Sequence, residues 1–150
     1  MADIARDRAT ARPAVCTAAM VVGAIFLLIG IAGFIPGLTT NFSGMTAAGH
    51  DSDAMLLGVF QVSILHNIVH LLFGVVGLLA GRDAGFARGY LIGGGVIYLV
   101  LWLYGLVTSD TSGANFAPFN TADDWLHFVL GAGMIALGVA LSRRRLTARP

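Results

Sequence analysis

Four histidines and the acidic residues near them are the side chains of this sequence that could do chemistry. His66 and His70 are four residues apart, so on a helix both rings project from one face, as two ligands of a single metal ion do. Asp123 and His127 repeat that spacing later in the chain. The pattern predicts a metal site formed by His66, His70, Asp123 and His127.

Two other interpretations of these residues are open. His70 and His127 could be axial ligands of a haem held inside a helix bundle. Alternatively, Asn67 and Asp124 join the histidines in hydrogen bonds between helices, which needs no ligand. Thr121 and Asp124 have the spacing of a capping box, in which two side chains satisfy the free amides of a helix start. No cofactor is expected in this last case, and a transition metal or haem in the others.

Four apolar segments must position these side chains. The chain has 150 residues, of which 57% are hydrophobic and 11% charged, against roughly a quarter charged in a soluble domain. Residues 14–35, 63–80, 90–107 and 125–141 contain no Asp, Glu, Lys or Arg. Each segment is close to the ~20 residues that a helix needs to cross a ~30 Å hydrocarbon layer. We predict an all-α integral membrane four-helix bundle that occupies residues 1–150 as a single domain.

The basic residues predict the orientation of this bundle. Four spans place both termini and the 82–88 connection on one side of the membrane, and every basic residue falls there: Arg6, Arg8, Arg12, Arg82, Arg88, Arg143, Arg144, Arg145 and Arg149. Positive charge favours the cytoplasmic side, so we expect a cell-membrane protein with cytoplasmic tails at 1–12 and 142–150. The net charge of only +1 argues against a nucleic-acid partner. The expected partners are the lipid bilayer and a membrane protein or a second copy of the chain.

The second half of the sequence repeats the first. A shift of 57 residues superposes one histidine and two glycines: His127 on His70, Gly131 on Gly74, and Gly138 on Gly81. A shift of 72 relates the other two helices, with Gly95 on Gly23 and Gly105 on Gly33. We predict two tandem two-helix repeats whose second and fourth helices meet across an axis along the membrane normal. Small residues let helices approach closely in lipid, so Gly74, Gly81, Gly131 and Gly138 are predicted packing residues.

Segment 65–74, L-H-N-I-V-H-L-L-F-G, stands out together with Asn115-Phe116 and the later D-D-W-L-H of residues 123–127. With these motifs the chain resembles the family called domain of unknown function 4383, over roughly residues 15 to 141. The resemblance implies a small four-span membrane protein, of a mainly actinobacterial family, and supplies no catalytic residues.

No Ser or Cys of the chain has a nearby His with a third partner in sequence, as a nucleophilic enzyme requires. We therefore expect a non-enzymatic accessory or scaffolding protein. The alternative is a metal- or haem-binding membrane protein with its site on the outer face.

The orientation predicts how introduced cysteines react. In a Cys16→Ser background, a membrane-impermeant thiol reagent applied to whole cells should label Ser112→Cys, which lies in a predicted outer loop. It should not label Ala84→Cys, in the predicted cytoplasmic connection, until the membrane is opened. The reverse labelling would overturn the orientation.

Overall fold

The structure is a computed structural model that describes residues 12–108 and 118–143. The described residues form four α-helices: α1 Ala14–Ala32, α2 Ile64–Ala80, α3 Ala84–Val107 and α4 Thr121–Arg143. Three of them, α1, α3 and α4, are long and apolar enough to cross a membrane, and α2 is a shorter apolar helix of 17 residues. The predicted helical class is thus confirmed. Most of both predicted tails and the Asn115-Phe116 motif lie outside the described residues.

The helices pack as two pairs, α1 with α2 and α3 with α4, and α1 against α3 is the most extensive contact between the pairs. This differs from the expected meeting of the second and fourth helices. Those two helices approach each other through side chains, with the rings of His66 and His127 stacked 6.4 Å apart.

Glycines set the distance within each pair. A Cβ atom at Gly23 would lie 2.7 Å from the carbonyl oxygen of Gly74, and one at Gly95 would lie 2.7 Å from the carbonyl oxygen of Gly131. Such short distances leave no room for a side chain, so the two backbones of each pair are in direct contact. Close contact of this kind is how helices associate where the solvent is as apolar as the side chains.

The other two predicted packing glycines lie further along the same interfaces. A Cβ atom at Gly138 would lie 2.7 Å from Cγ1 of Ile92, and one at Gly81 would overlap the side chain of Met20. The nearest backbone atoms are further away, the carbonyl oxygen of Cys16 at 3.0 Å from a Cβ at Gly81 and the nitrogen of Ile92 at 3.4 Å from one at Gly138. These contacts therefore constrain the pairs less than Gly23 with Gly74 does.

Residues 33–63 form a cap over the end of the helices where α1 ends and α2 begins, called here the cap end. The cap holds a 3₁₀ helix at Phe42–Gly44 and an antiparallel sheet in the order β1-β2-β3, with strands β1 Thr39–Thr40, β2 Met55–Leu56 and β3 Phe60–Gln61. Ala54, Leu56 and Val62 are buried against Ile29 and Ala32 of α1. The sequence pattern missed this sheet, because strands of two residues are too short to show an alternating pattern.

The turn between β2 and β3 has an unusual backbone. Leu57 has φ +53° and Gly58 has φ +70°. A positive φ is a genuine outlier for a bulky residue such as leucine. The backbone amide of Leu57 is nevertheless held in place, because it donates to the carbonyl oxygen of Leu38 at 2.7 Å.

The glycine contacts predict a position-specific loss of stability. Gly131→Leu should lower the free energy of unfolding by ~1–3 kcal/mol, because the new side chain overpacks a closed interface. The matched control is Gly133→Leu on the same helix, since no atom lies within 4 Å of a Cβ at Gly133. Thermal unfolding in detergent measures both. An equal melting temperature for the two variants would refute the close contact.

Candidate functional site

The histidine cluster, defined as His66, His70 and His127, lies at the cap end. Its side chains are buried, with relative exposures of 7%, 7% and 4%. The ring centroids of His66 and His70 are 4.5 Å apart, and those of His66 and His127 are 6.4 Å apart. The structure therefore brings together three of the four residues of the predicted metal site from two different helices.

The start of α2 fixes two members of the cluster. Ser63 is the N-cap of α2, and its Oγ accepts a hydrogen bond from the backbone amide of His66 at 3.2 Å. His66 therefore lies in the first turn, and His70 follows one turn later on the same face.

The start of α4 is capped one residue earlier than the sequence suggested. Oδ1 of Asn120 accepts from the backbone amide of Asp123 at 3.0 Å, and Oδ2 of Asp123 accepts from the amide of Asn120 at 3.3 Å. This is the reciprocal arrangement of a capping box. The expected box of Thr121 with Asp124 is thus wrong, because α4 begins at Thr121 and the preceding residue is its N-cap.

The same two residues attach the cap to α4. Oδ2 of Asp123 also accepts from the backbone amide of Gln61 at 3.0 Å, and Nδ2 of Asn120 donates to the carbonyl oxygen of Val59 at 2.8 Å. Asp123 thus acts as a structural carboxylate that joins the sheet of the cap to the helices.

A cavity of about 200 Å³ lies between the cap and the helices. All four residues of the predicted metal site line it, and the rest of its wall is apolar, with Phe26, Ile29 and Leu130 among the residues. The fourth histidine, His50, belongs to the cap and does not line this cavity, and its Nε2 lies 3.2 Å from Oδ1 of Asp51.

A second cavity of about 120 Å³ lies on the other side of the cluster. The same three histidines line it, together with Leu65, Val69, Tyr98, Leu101 and Phe119. The cluster therefore stands between two apolar spaces.

The cluster holds buried ring nitrogens whose hydrogen-bonding capacity is unfilled within the described residues. Nδ1 of each of its histidines is buried and has no hydrogen-bond partner among the described residues. Buried polar atoms in proteins are almost always paired, so three such atoms in one place call for an explanation. Within residues 12–108 and 118–143, however, no group of three or more His, Cys, Asp or Glu is arranged to hold a metal ion. The metal site stays a prediction.

Asn67 and Asp124 face away from the cavity, into the helix pairs. Asn67 is fully buried, and a Cβ atom at Gly33 would overlap its amide group. A Cβ atom at Gly105 would overlap the carboxylate of Asp124 in the same way. Sequence reasoning missed these two glycines as partners of the polar residues, although they align with each other at the shift of 72 residues.

A comparison with protein-family models gives one match over most of the chain. The model described as Domain of unknown function (DUF4383) matches residues 17–140, which confirms the resemblance predicted from the motifs. No curated protein and no solved structure matches the chain.

The capping geometry predicts which residue holds the cap in place. Asn120→Ala removes the bond to the amide of Asp123 and the bond to Val59, so it should cost ~1–2 kcal/mol of stability. It should also speed amide hydrogen exchange in residues 53–62. The control is Thr121→Ala, which changes the residue that the sequence pattern favoured. A larger effect for Thr121→Ala than for Asn120→Ala would contradict this assignment.

Proposed function

The chain belongs to the DUF4383 family, whose description assigns no activity, and from that premise we propose that it is a non-enzymatic, multi-pass accessory or scaffolding protein of the cell membrane. One observation carries the proposal: the described helices turn apolar side chains outward while they keep polar ones inside. Val21 and Leu28 of α1 are 54% and 67% exposed, and Val129 of α4 is 63% exposed. This surface suits lipid and the apolar helix of a partner or a second copy.

A duplicated two-helix unit is part of this proposal, and equivalent contacts in the two helix pairs support it. At the shifts of 72 and 57 residues, three contacts of the first pair have counterparts in the second: Gly23 on Gly74 with Gly95 on Gly131, Leu27 on Gly74 with Leu99 on Gly131, and Gly33 on Asn67 with Gly105 on Asp124. The N-cap residues of α2 and α4 also correspond, because the side chain of Ser63 accepts from the amide of His66 as the side chain of Asn120 accepts from that of Asp123. A duplicated unit gives both helix pairs the same orientation across the membrane.

The proposed orientation places the cap end outside and both termini in the cytoplasm. Arg12 and Arg82 line a single cleft at the other end of α1 and α2. The histidine cluster lies at the opposite end of α2. Arg12 and Arg82 thus lie at the end of the α1–α2 pair opposite to the histidine cluster, in keeping with the positive-inside bias.

A non-enzymatic role is supported by what surrounds the cluster. Of the described residues that line the two cavities, none is Ser, Thr, Cys or Lys, so a serine-, cysteine- or lysine-type nucleophile has no support there. The single cysteine, Cys16, is buried near the opposite end of α1.

The accessory role predicts a stable complex. A tagged chain expressed at its native level and extracted in mild detergent should run as an assembly larger than one chain, with a second copy or a membrane protein in fixed stoichiometry. Light scattering corrected for detergent, followed by mass spectrometry of the cross-linked complex, measures both. A single chain without a partner at native level would contradict the accessory role.

A second candidate function is ligand binding at the cap end. The observation that favours it is the convergence of His66, His70, Asp123 and His127 on one cavity. A metal ion or a haem was the ligand expected from spacing alone. The dimensions and the walls of the cavity allow a narrower choice.

A further inference from the structure

We propose that the histidine cluster and its two cavities bind a membrane-soluble molecule that has one quinone or phenol ring and a hydrocarbon tail. The proposal names the ligand of the second candidate function and rests on the proposed location in the membrane. The ring would lie in the cavity under the cap, beside the imidazoles, and the tail would pass into the second cavity.

The volume of the first cavity fits a single ring. A dry apolar cavity of about 150 Å³ is known to bind benzene, and this cavity has about 200 Å³. A six-membered ring with a few small substituents therefore fills it. A haem, with four pyrrole rings in one plane, is far larger. A lone metal ion would leave most of an apolar cavity empty.

Aromatic side chains already surround the position of the ring. Phe26 packs against His70 with a centroid distance of 5.5 Å, and His66 packs edge to face against His70 at 4.5 Å; all three line the first cavity. Aromatic pairs favour these tilted and edge-to-face arrangements. A flat ring placed among them gains contacts of the same kind.

The polar atoms of the cavities select oxygen-bearing, uncharged ligands. A neutral imidazole offers one hydrogen-bond donor and one acceptor. The three Nδ1 atoms, which have no partner among the described residues, can therefore donate to a quinone carbonyl or accept from a phenol hydroxyl. A plain hydrocarbon chain would leave all three unsatisfied. An anion would find no Arg or Lys among the described residues of either cavity. For a cation, Asp123 is the one carboxylate there, and two backbone amides already hold its Oδ2.

The second cavity gives a tail a route to the lipid. It adjoins the cluster, and its lining residues Leu65 and Val69 are 39% and 46% exposed on the outside of α2. Its wall is apolar apart from the histidines and the tyrosine hydroxyl of Tyr98. A ligand dissolved in the bilayer could therefore enter from the side rather than through the cap.

The test is a titration of the purified protein in detergent, read as the rise in melting temperature that a ligand of the native state produces. The probes are a fully substituted benzoquinone with a decyl tail, the same ring with a methyl group in place of the tail, and decanol. We expect the tailed quinone to bind, the short quinone to bind about tenfold more weakly because it loses the tail contacts, and decanol to give no saturable shift.

Two kinds of variant localise the binding. His70→Phe and His127→Phe keep a ring and remove its nitrogens, so each should weaken binding of the tailed quinone about tenfold. Ile29→Phe fills the first cavity, leaves the three histidines unsubstituted, and should abolish binding. His50→Phe, a histidine of the cap outside both cavities, is the matched control and should bind as the unaltered protein does. Circular dichroism verifies that each variant is helical.

Several results would overturn the inference. No shift with either quinone in a folded, detergent-solubilised protein would refute it and leave the proposed membrane role intact. Stoichiometric zinc in elemental analysis that is lost in His70→Phe would replace the quinone site with a metal site. A Soret band that is lost in the same variant would replace it with a haem site. Equal affinity for the short and tailed quinones would refute a membrane source for the ligand. A chain that stays soluble and monodisperse without any detergent would refute the proposed function itself.

Discussion

Direct contact between the backbones of paired helices is the constraint on which the rest of the structure depends. Lipid tails are as apolar as leucine, so helices in a bilayer gain little from burying leucine and associate through van der Waals contact. Gly23 against Gly74 and Gly95 against Gly131 supply that contact near the middle of each pair. The contact fixes the two helices within each pair, and the packing of the two pairs against each other brings His66 and His127 within 6.4 Å.

The short polar motif at the start of α2 serves two purposes because of helical geometry. Successive residues point about 100° apart, whereas residues four apart nearly coincide. His66 and His70 therefore face the cavity, while Asn67 between them turns toward α1 and packs on Gly33. At the start of α4, Asp123 and His127 face the cavity and Asp124 packs on Gly105. Apart from Asp123, which lines the cavity and also holds the cap, the residues that line the cavity and those that pack between helices thus lie on different faces of the same helix turns.

Much of this arrangement could be predicted from the sequence, and what could not has physical reasons. The apolar segments indicated four helices, and the spacing placed His66 with His70, and Asp123 with His127, on one face of their helices, because both follow from local periodicity. The convergence of the two helices on one cavity depends on tertiary packing. The sequence did not indicate the cap, because its short strands depend on contacts between residues far apart in the chain, such as Thr39 with Leu56. The observed capping pair lies one residue before the predicted one. Several residues at 120–124 can cap a helix, and only the tertiary contact of Asp123 with Gln61 distinguishes among them.

The modest length of α2 has a consequence for the membrane around the protein. Seventeen residues rise only about 26 Å, less than the ~30 Å of a typical hydrocarbon layer. At the cap end the neighbouring apolar side chains Leu38, Leu57 and Val59 are 42%, 65% and 47% exposed. Hydrophobic mismatch of this size is relieved by local thinning of the bilayer, and it sorts proteins among membranes of different thickness. We therefore expect local thinning of the bilayer on the α2 side only, because the other three helices are long enough to cross it, with the cap lying at the level of the lipid headgroups.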